Sequence, residues 1–167
     1  MTESLVPWMI SLFQGSISKE IIVFIISLFP ILELRGGILA GYALGMEFTS
    51  TFIIAFIGNI LPIPFILLFI RYIFKVLKQT PFRKIVLWCE EKAESKNETI
   101  RKYAYWGLYL FVAIPLPGTG AWTGALIAAL LGMDVKKTFP TIVVGVLTAG
   151  IIVSVLSFGL LGALGIG

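Results

Sequence analysis

The stretch Pro30-Ile31-Leu32-Glu33-Leu34-Arg35-Gly36-Gly37 decides how this chain is read. It lies between two uncharged apolar runs, Ile21–Phe29 and Ile38–Met46. A carboxylate or a guanidinium at membrane depth costs about 2.5–3.5 kcal/mol on insertion scales. Such groups persist where they pair, face a wet cavity or handle a substrate. Pro30 cannot continue a helix begun by the preceding run. The motif therefore predicts a broken helix inside a membrane, and it marks where function should be sought.

The surrounding composition supports that reading. Of 167 residues, 58% are hydrophobic and 13% charged, with a mean hydropathy of +1.00. Soluble domains carry about 25% charged residues. The apolar runs are continuous, without the alternation of a membrane barrel, so an all-α integral membrane protein is expected. The length suits one transmembrane domain. There is no histidine, a single cysteine (Cys89) and no cluster with metal-ligand spacing. No metal or cofactor is expected. The net charge of +4 and the pI near 9.3 reflect basic residues gathered in one loop, so no nucleic-acid partner is expected. The first 18 residues contain no Lys or Arg, so a signal-peptide n-region is missing.

Along the chain, residues 3–14 suit a short interfacial helix. Ile21–Phe29 gives about 13 Å of helix, under half of a ~30 Å hydrocarbon core. Thr51–Tyr72 is long enough to cross, with kinks expected at Pro62 and Pro64. Lys75–Lys102 is aqueous, and Phe82, Ile85, Val86, Cys89 and Ala93 recur there at helical spacing. This predicts an amphipathic helix on the membrane surface with Trp88 near the headgroups. Ala104–Leu131 is apolar again and is interrupted at Ile114–Gly120. Met133–Lys137 reads as a polar turn, and Thr138–Leu164 as a final span.

The two halves match. Pro30 pairs with Pro115, and after a two-residue slip at the break Gly37 pairs with Gly124. In that register Leu44-Gly45-Met46 repeats as Leu131-Gly132-Met133, Thr51-Phe52 as Thr138-Phe139 and Gly58 as Gly145. Repeat 1 covers about 19–77, a cytoplasmic linker about 78–102, and repeat 2 about 103–164. Each broken pair is either a re-entrant hairpin, giving inverted repeats, or one kinked span, giving parallel repeats. The hairpin reading puts the basic loop 75–102 on the same face as Lys136 and Lys137. The positive-inside rule therefore favours it, with that loop cytoplasmic and both termini outside.

Half-helix N-termini at the breaks offer N–H groups to an anion. Gly118-Thr119-Gly120 adds flexible backbone, Thr119 and Thr123 add hydroxyls, and Arg35 adds a fork-shaped cation. Glu33 suits a proton carrier. The alternative to a direct role is that Glu33 and Arg35 only cap or cross-link the hairpin tips. At i and i+2 they do not share a helix face, so direct pairing is not expected. Gly36, Gly37, Gly120 and Gly124 read mainly as close-packing positions. Trp122 reads as core or site, and Asn59 as an interhelical bond or a cavity group. Glu47 and Asp134 read as helix caps.

Residues 30–41, Pro-Ile-Leu-Glu-Leu-Arg-Gly-Gly-Ile-Leu-Ala-Gly, and 115–124, Pro-Leu-Pro-Gly-Thr-Gly-Ala-Trp-Thr-Gly, resemble the two signature stretches of the putative small multidrug export protein family. The resemblance covers nearly the whole chain. That family in turn resembles the DedA superfamily, with two opposed re-entrant hairpins, each followed by a span. The resemblance implies a bacterial inner-membrane protein that moves lipid-linked phosphates, notably undecaprenyl phosphate. It also implies ties to proton-motive-force homeostasis and drug tolerance. Glu33 and Arg35 would correspond to the acid and base of the hairpin motif. The second break, Gly-Thr-Gly, departs from DedA proteins in carrying no arginine.

The leading expectation is thus a transporter for an anionic lipid-like substrate, with protons as coupling partner at Glu33. Arg35, Glu33, Gly118, Thr119, Gly120, Trp122, Thr123 and Asn59 are its candidate binding residues. A proton-coupled exporter of cationic drugs and a non-transporting scaffold are the alternatives. No enzyme is expected, because no histidine, Ser-Lys pair or matched carboxylate pair lies in the apolar segments. The glycine-rich faces leave room for a homodimer.

Overall fold

The computed structural model describes residues 2–13, 17–81, 83–84, 87, 98–116 and 118–161. Among these the architecture is all-helical, as the uninterrupted apolar runs predicted. The helices are α1 (Thr2–Phe13), α2 (Lys19–Leu28), α3 (Glu33–Ala43), α4 (Phe48–Ile60), α5 (Ile63–Leu77), α6 (Glu98–Ala113), α7 (Ala121–Leu130) and α8 (Val135–Ser154). A π-helical segment, Val155–Leu161, continues α8. Most of the expected amphipathic helix, with Trp88 and Cys89, lies outside the described residues.

Two stretches are long and apolar enough to cross a membrane, Phe48–Phe69 and Val135–Gly159. The outer surface agrees with lipid contact. Phe65, Phe69, Tyr72, Tyr103, Trp106 and Ile151 are each more than half exposed, the reverse of a soluble protein. The interior is lined by small and branched side chains, among them Val23, Ile26, Leu34, Ile38, Ala55, Ala121, Ala125, Ile142 and Val146.

The first break is shorter than the motif suggested. Phe29, before the proline, is extended (φ −73°, ψ 134°), as proline demands of its predecessor. Helix resumes at Glu33, so Arg35, Gly36 and Gly37 are already helical. In the first span α4 and α5 meet at Leu61–Pro62, where Leu61 keeps a helical conformation (φ −52°, ψ −44°). Pro64 instead sits in the first turn of α5, where its missing N–H costs nothing. The polar turn of the second half is also shorter, since Lys136 and Lys137 already belong to α8. Asp134 caps α8 through its side chain, accepting from the Lys136 N–H at 2.8 Å. Glu47 occupies the same cap position on α4 but makes no side-chain bond to the helix.

Each helix–break–helix unit closes at its open end. Lys19 Nζ, at the start of α2, donates to the Leu44 carbonyl at the end of α3 (2.6 Å). That places a cation at a helix C-terminus, where the dipole favours it. In the second unit the Asp134 N–H, beyond α7, donates to the Tyr105 hydroxyl of α6 (3.3 Å).

The repeat seen in the sequence recurs in the detailed geometry. Gly45 and Gly132 adopt φ of 65° and 64° after their helices. Met46 N–H donates to the Gly41 carbonyl and Met133 N–H to the Ala128 carbonyl, both at 2.9 Å, the same C-terminal motif twice. Gly58 of α4 lies against the Phe24 carbonyl and Ser27 of α2. Gly145 of α8 lies against the Tyr109 carbonyl and Val112 of α6. These are corresponding positions of the two halves. At Gly58 an added Cβ would sit 2.8 Å from the Phe24 backbone oxygen. Gly58→Ala is therefore expected to lower stability by about 1–3 kcal/mol, the usual penalty of overpacking. Thermal unfolding in detergent reads this out, and an unchanged midpoint would disprove the close contact.

Candidate functional site

The two breaks meet, and Glu33 and Arg35 join them. Glu33 opens α3 with a φ of 51°, a left-handed conformation in a residue other than glycine. Such strain costs on the order of 1–3 kcal/mol and persists only when neighbours hold it. Here the holding is visible. The Glu33 carboxylate accepts from the Ala121 N–H at 3.2 Å and from the Trp122 N–H at 3.0 Å. These are the first two residues of α7, whose N–H groups have no partner within the helix. A buried carboxylate (5% exposed) thus caps the N-terminus of the other half's helix, with the dipole in its favour.

Arg35 binds the other side of the same break. Its Nη1 donates to the Leu116 carbonyl at 2.6 Å. Its Nη2 reaches the Thr119 hydroxyl at 3.0 Å and the Ile114 carbonyl at 3.5 Å. Thr119 Oγ1 lies 2.8 Å from the Leu116 carbonyl and 2.9 Å from that of Ile114, so one side chain organises the whole turn. Carbonyls released where α6 ends are in this way met by a cation and a hydroxyl. Glu33 and Arg35 form no ion pair with one another among the described residues; each reaches across to a different set of backbone groups.

Gly120 makes the approach feasible. Its φ is 145°, and a Cβ built there would overlap the Glu33 carboxylate oxygens. Gly120 is also the position that matches Glu33 in the repeat register set by Gly37 and Gly124. Both residues carry positive φ, one with a carboxylate and the other with no side chain at all. The centre of the molecule is thus two like turns with unlike chemistry.

Around this point lies a narrow cavity with room for about one water molecule. Its wall includes Glu33, Arg35, Asn59, Gly120 and Ala121. Asn59 is 2% exposed, and its side-chain oxygen has no hydrogen-bond partner. The Trp122 indole N–H is likewise buried and unpartnered.

The candidate residues therefore divide. Glu33, Arg35, Thr119, Gly120 and Asn59 gather at one point, with Trp122 joined through its backbone. Gly118 (φ 81°) shapes the turn from an exposed position. Thr123 follows within α7, half-buried, and makes no hydrogen bond to the pair among the described residues. The N-terminus of α7, expected together with Gly118–Gly120 to receive an anion, is occupied by the chain's own Glu33 carboxylate through the N–H groups of Ala121 and Trp122. Gly36, Gly37 and Gly124 pack as expected, against Leu32, Ser27 and Val112 respectively. The N–H groups of the half-helix were legible in the sequence as an anion site, but not that Glu33 itself fills it, and the carbonyls that receive Arg35 were missed because they are backbone atoms. The one available signal was the two-residue slip between the repeats, which sets Glu33 opposite a glycine.

This fold and centre define a class: an all-helical integral membrane protein whose two halves are joined at their helix breaks by a buried carboxylate and an arginine. The chain belongs to the family described as Putative small multi-drug export protein, whose model matches residues 33–152. That match begins at Glu33, directly after the first break, and takes in the second break and most of α8. Comparison with curated proteins and with solved structures returned no match.

Proposed function

We propose that the chain is a proton-coupled membrane exporter in which Glu33 exchanges a proton at the crossing of the two breaks. The observation that carries this reading is the bridge from Glu33 to the Ala121 and Trp122 N–H groups. Charged, the carboxylate makes two charge-assisted bonds and holds the halves together. Protonated, it loses its charge and much of that hold, and the α7 N-terminus is freed. Proton binding and the opening of the centre are then one event, and a population shift follows from it. In this scheme each helix–break–helix unit is a re-entrant hairpin entering from one face, and the repeats are inverted. The two spans open alternately around the crossing. The basic loop faces the cytoplasm. Arg35 holds the second break in shape throughout.

A cationic drug suits this scheme because it competes with the proton for Glu33. The test uses proteoliposomes with ethidium as the drug and a pH-sensitive dye in the lumen. Ethidium should drive proton flux through the wild-type protein. Glu33→Gln, a fixed neutral mimic, should reduce that flux to the level of protein-free vesicles. Flux through Glu33→Gln equal to wild type would overturn the reading.

One observation favours a second reading. The α7 N-terminus already holds an anion, which supports an anionic headgroup such as a polyprenyl phosphate taking that seat when Glu33 is protonated. In the same vesicles, proton flux driven by a polyprenyl phosphate and not by ethidium would select it.

A further inference from the structure

Glu33 as a carboxylate has only acceptors to offer, and two backbone N–H groups meet them. Glu33 as a neutral carboxyl has a proton to donate, and the groups around it now have to supply an acceptor. The N–H groups of α7 cannot accept, and neither can the Arg35 guanidinium. The remaining wall of the cavity is Leu34, Val112, Gly120, Ala121, Val146 and Ala149, none with a side-chain acceptor. Among the lining side chains one acceptor is left: the oxygen of Asn59, buried in α4, lining the same cavity and without a partner. A buried polar atom with no partner calls for an explanation.

We propose that Asn59 is the positioning residue for the proton-loaded state of Glu33. Its carbonyl accepts the hydrogen bond that the neutral carboxyl must donate, directly or through the single water the cavity holds. This rests on the proton-exchange reading of Glu33 and goes beyond it. The latch then has two seats for one side chain. With charge, Glu33 is held by α7; with a proton, it is held by α4. Proton loading thereby moves the hold from the other half of the molecule to its own half.

The charged groups around Glu33 do not compete for this role. Arg35 is the charged side chain acting on it. Lys19, on α2, is tied to Leu44 at the far end of α3. Glu47 stands at the N-cap position of α4, at the end opposite Asn59, and Lys136 and Lys137 stand exposed at the start of α8. No Asp, Glu, Lys or Arg occurs within α4 or α7.

In the second repeat the position that matches Asn59 is Val146, so valine is compatible with this helix position. The test is infrared difference spectroscopy of the full chain in lipid vesicles across a pH step. Wild type should show a protonated-carboxyl band that Glu33→Gln removes. In Asn59→Val that band should move to higher frequency, as a carboxyl without an acceptor does. Asn59→Gln, which keeps the amide, should move it back. A band left in place by Asn59→Val would overturn the proposal while leaving proton exchange intact. No Glu33 band at any pH would overturn both. A second measurement avoids altering Asn59. The chain has one other asparagine, Asn97. With Asn97→Gln and isotope-labelled asparagine, the Asn59 carbonyl band should fall in frequency in the same pH step. A band that stays still would overturn the proposal.

Discussion

Gly120→Ala is expected to break the junction between the two halves, at a cost of about 3 kcal/mol or more. Two terms add. The backbone there, at φ 145° and ψ −170°, is in a region essentially reserved for glycine, and forcing alanine into it costs about 1–3 kcal/mol. The new Cβ would also occupy the space of the Glu33 carboxylate. Glu33 must then leave its seat and give up hydrogen bonds to a charged group, worth about 1.5–3 kcal/mol each. Equilibrium unfolding in detergent measures the loss. The double variant Gly120→Ala/Glu33→Ala separates the two terms. Removing the carboxylate relieves the overlap and leaves only the backbone strain, so the two substitutions should be clearly non-additive. Simple additivity would show that Gly120 and Glu33 do not share this space.

Arg35→Ala should cost about 2–4 kcal/mol and abolish transport without preventing membrane insertion. The guanidinium donates to both the Leu116 carbonyl and the Thr119 hydroxyl, and losing it leaves these groups of the second break without that partner. Arg35→Lys is the informative companion. An ammonium on a flexible stem keeps the charge but lacks the planar fork that spans two acceptors. It should therefore recover less than half of the lost stability. Full recovery with lysine would mean that the charge alone matters and that the shape of the second break does not depend on Arg35.

Much of this molecule was legible from residue order, for local reasons. The apolar runs fixed a helical membrane protein because lipid allows no unpaired backbone. Pro30 and Pro115 placed the two breaks, since proline disfavours the helical conformation just before it and lacks a donor. Asp134 was readable as a cap because a short acceptor before a helix serves the first free N–H groups. The internal repeat was readable as matched glycines, and the structure gives those glycines matched neighbours. Other points needed packing. Whether Pro62 kinks or interrupts the first span depends on how α4 and α5 pack, α4 on α2 and α3, α5 on α7. The second break runs over 114–120 as read from the sequence, but the extent of the first was misjudged because Glu33 enters its helix through a strained φ that only distant contacts sustain.

The centre shows the division most clearly. Sequence alone determined that Glu33 and Arg35 are costly charges at a broken helix, that a second break exists, and that it carries no charge. It also determined that the two, being i and i+2, would not pair with each other. Only the tertiary structure decided what they do: Glu33 caps α7 and Arg35 closes the turn that precedes it. The physical reason is that their partners are the N–H groups of Ala121 and Trp122 and the carbonyls of Ile114 and Leu116. Backbone groups of this kind occur at almost every position of a chain. Which of them lie unpaired within reach of a given side chain is set by the packing of the two halves.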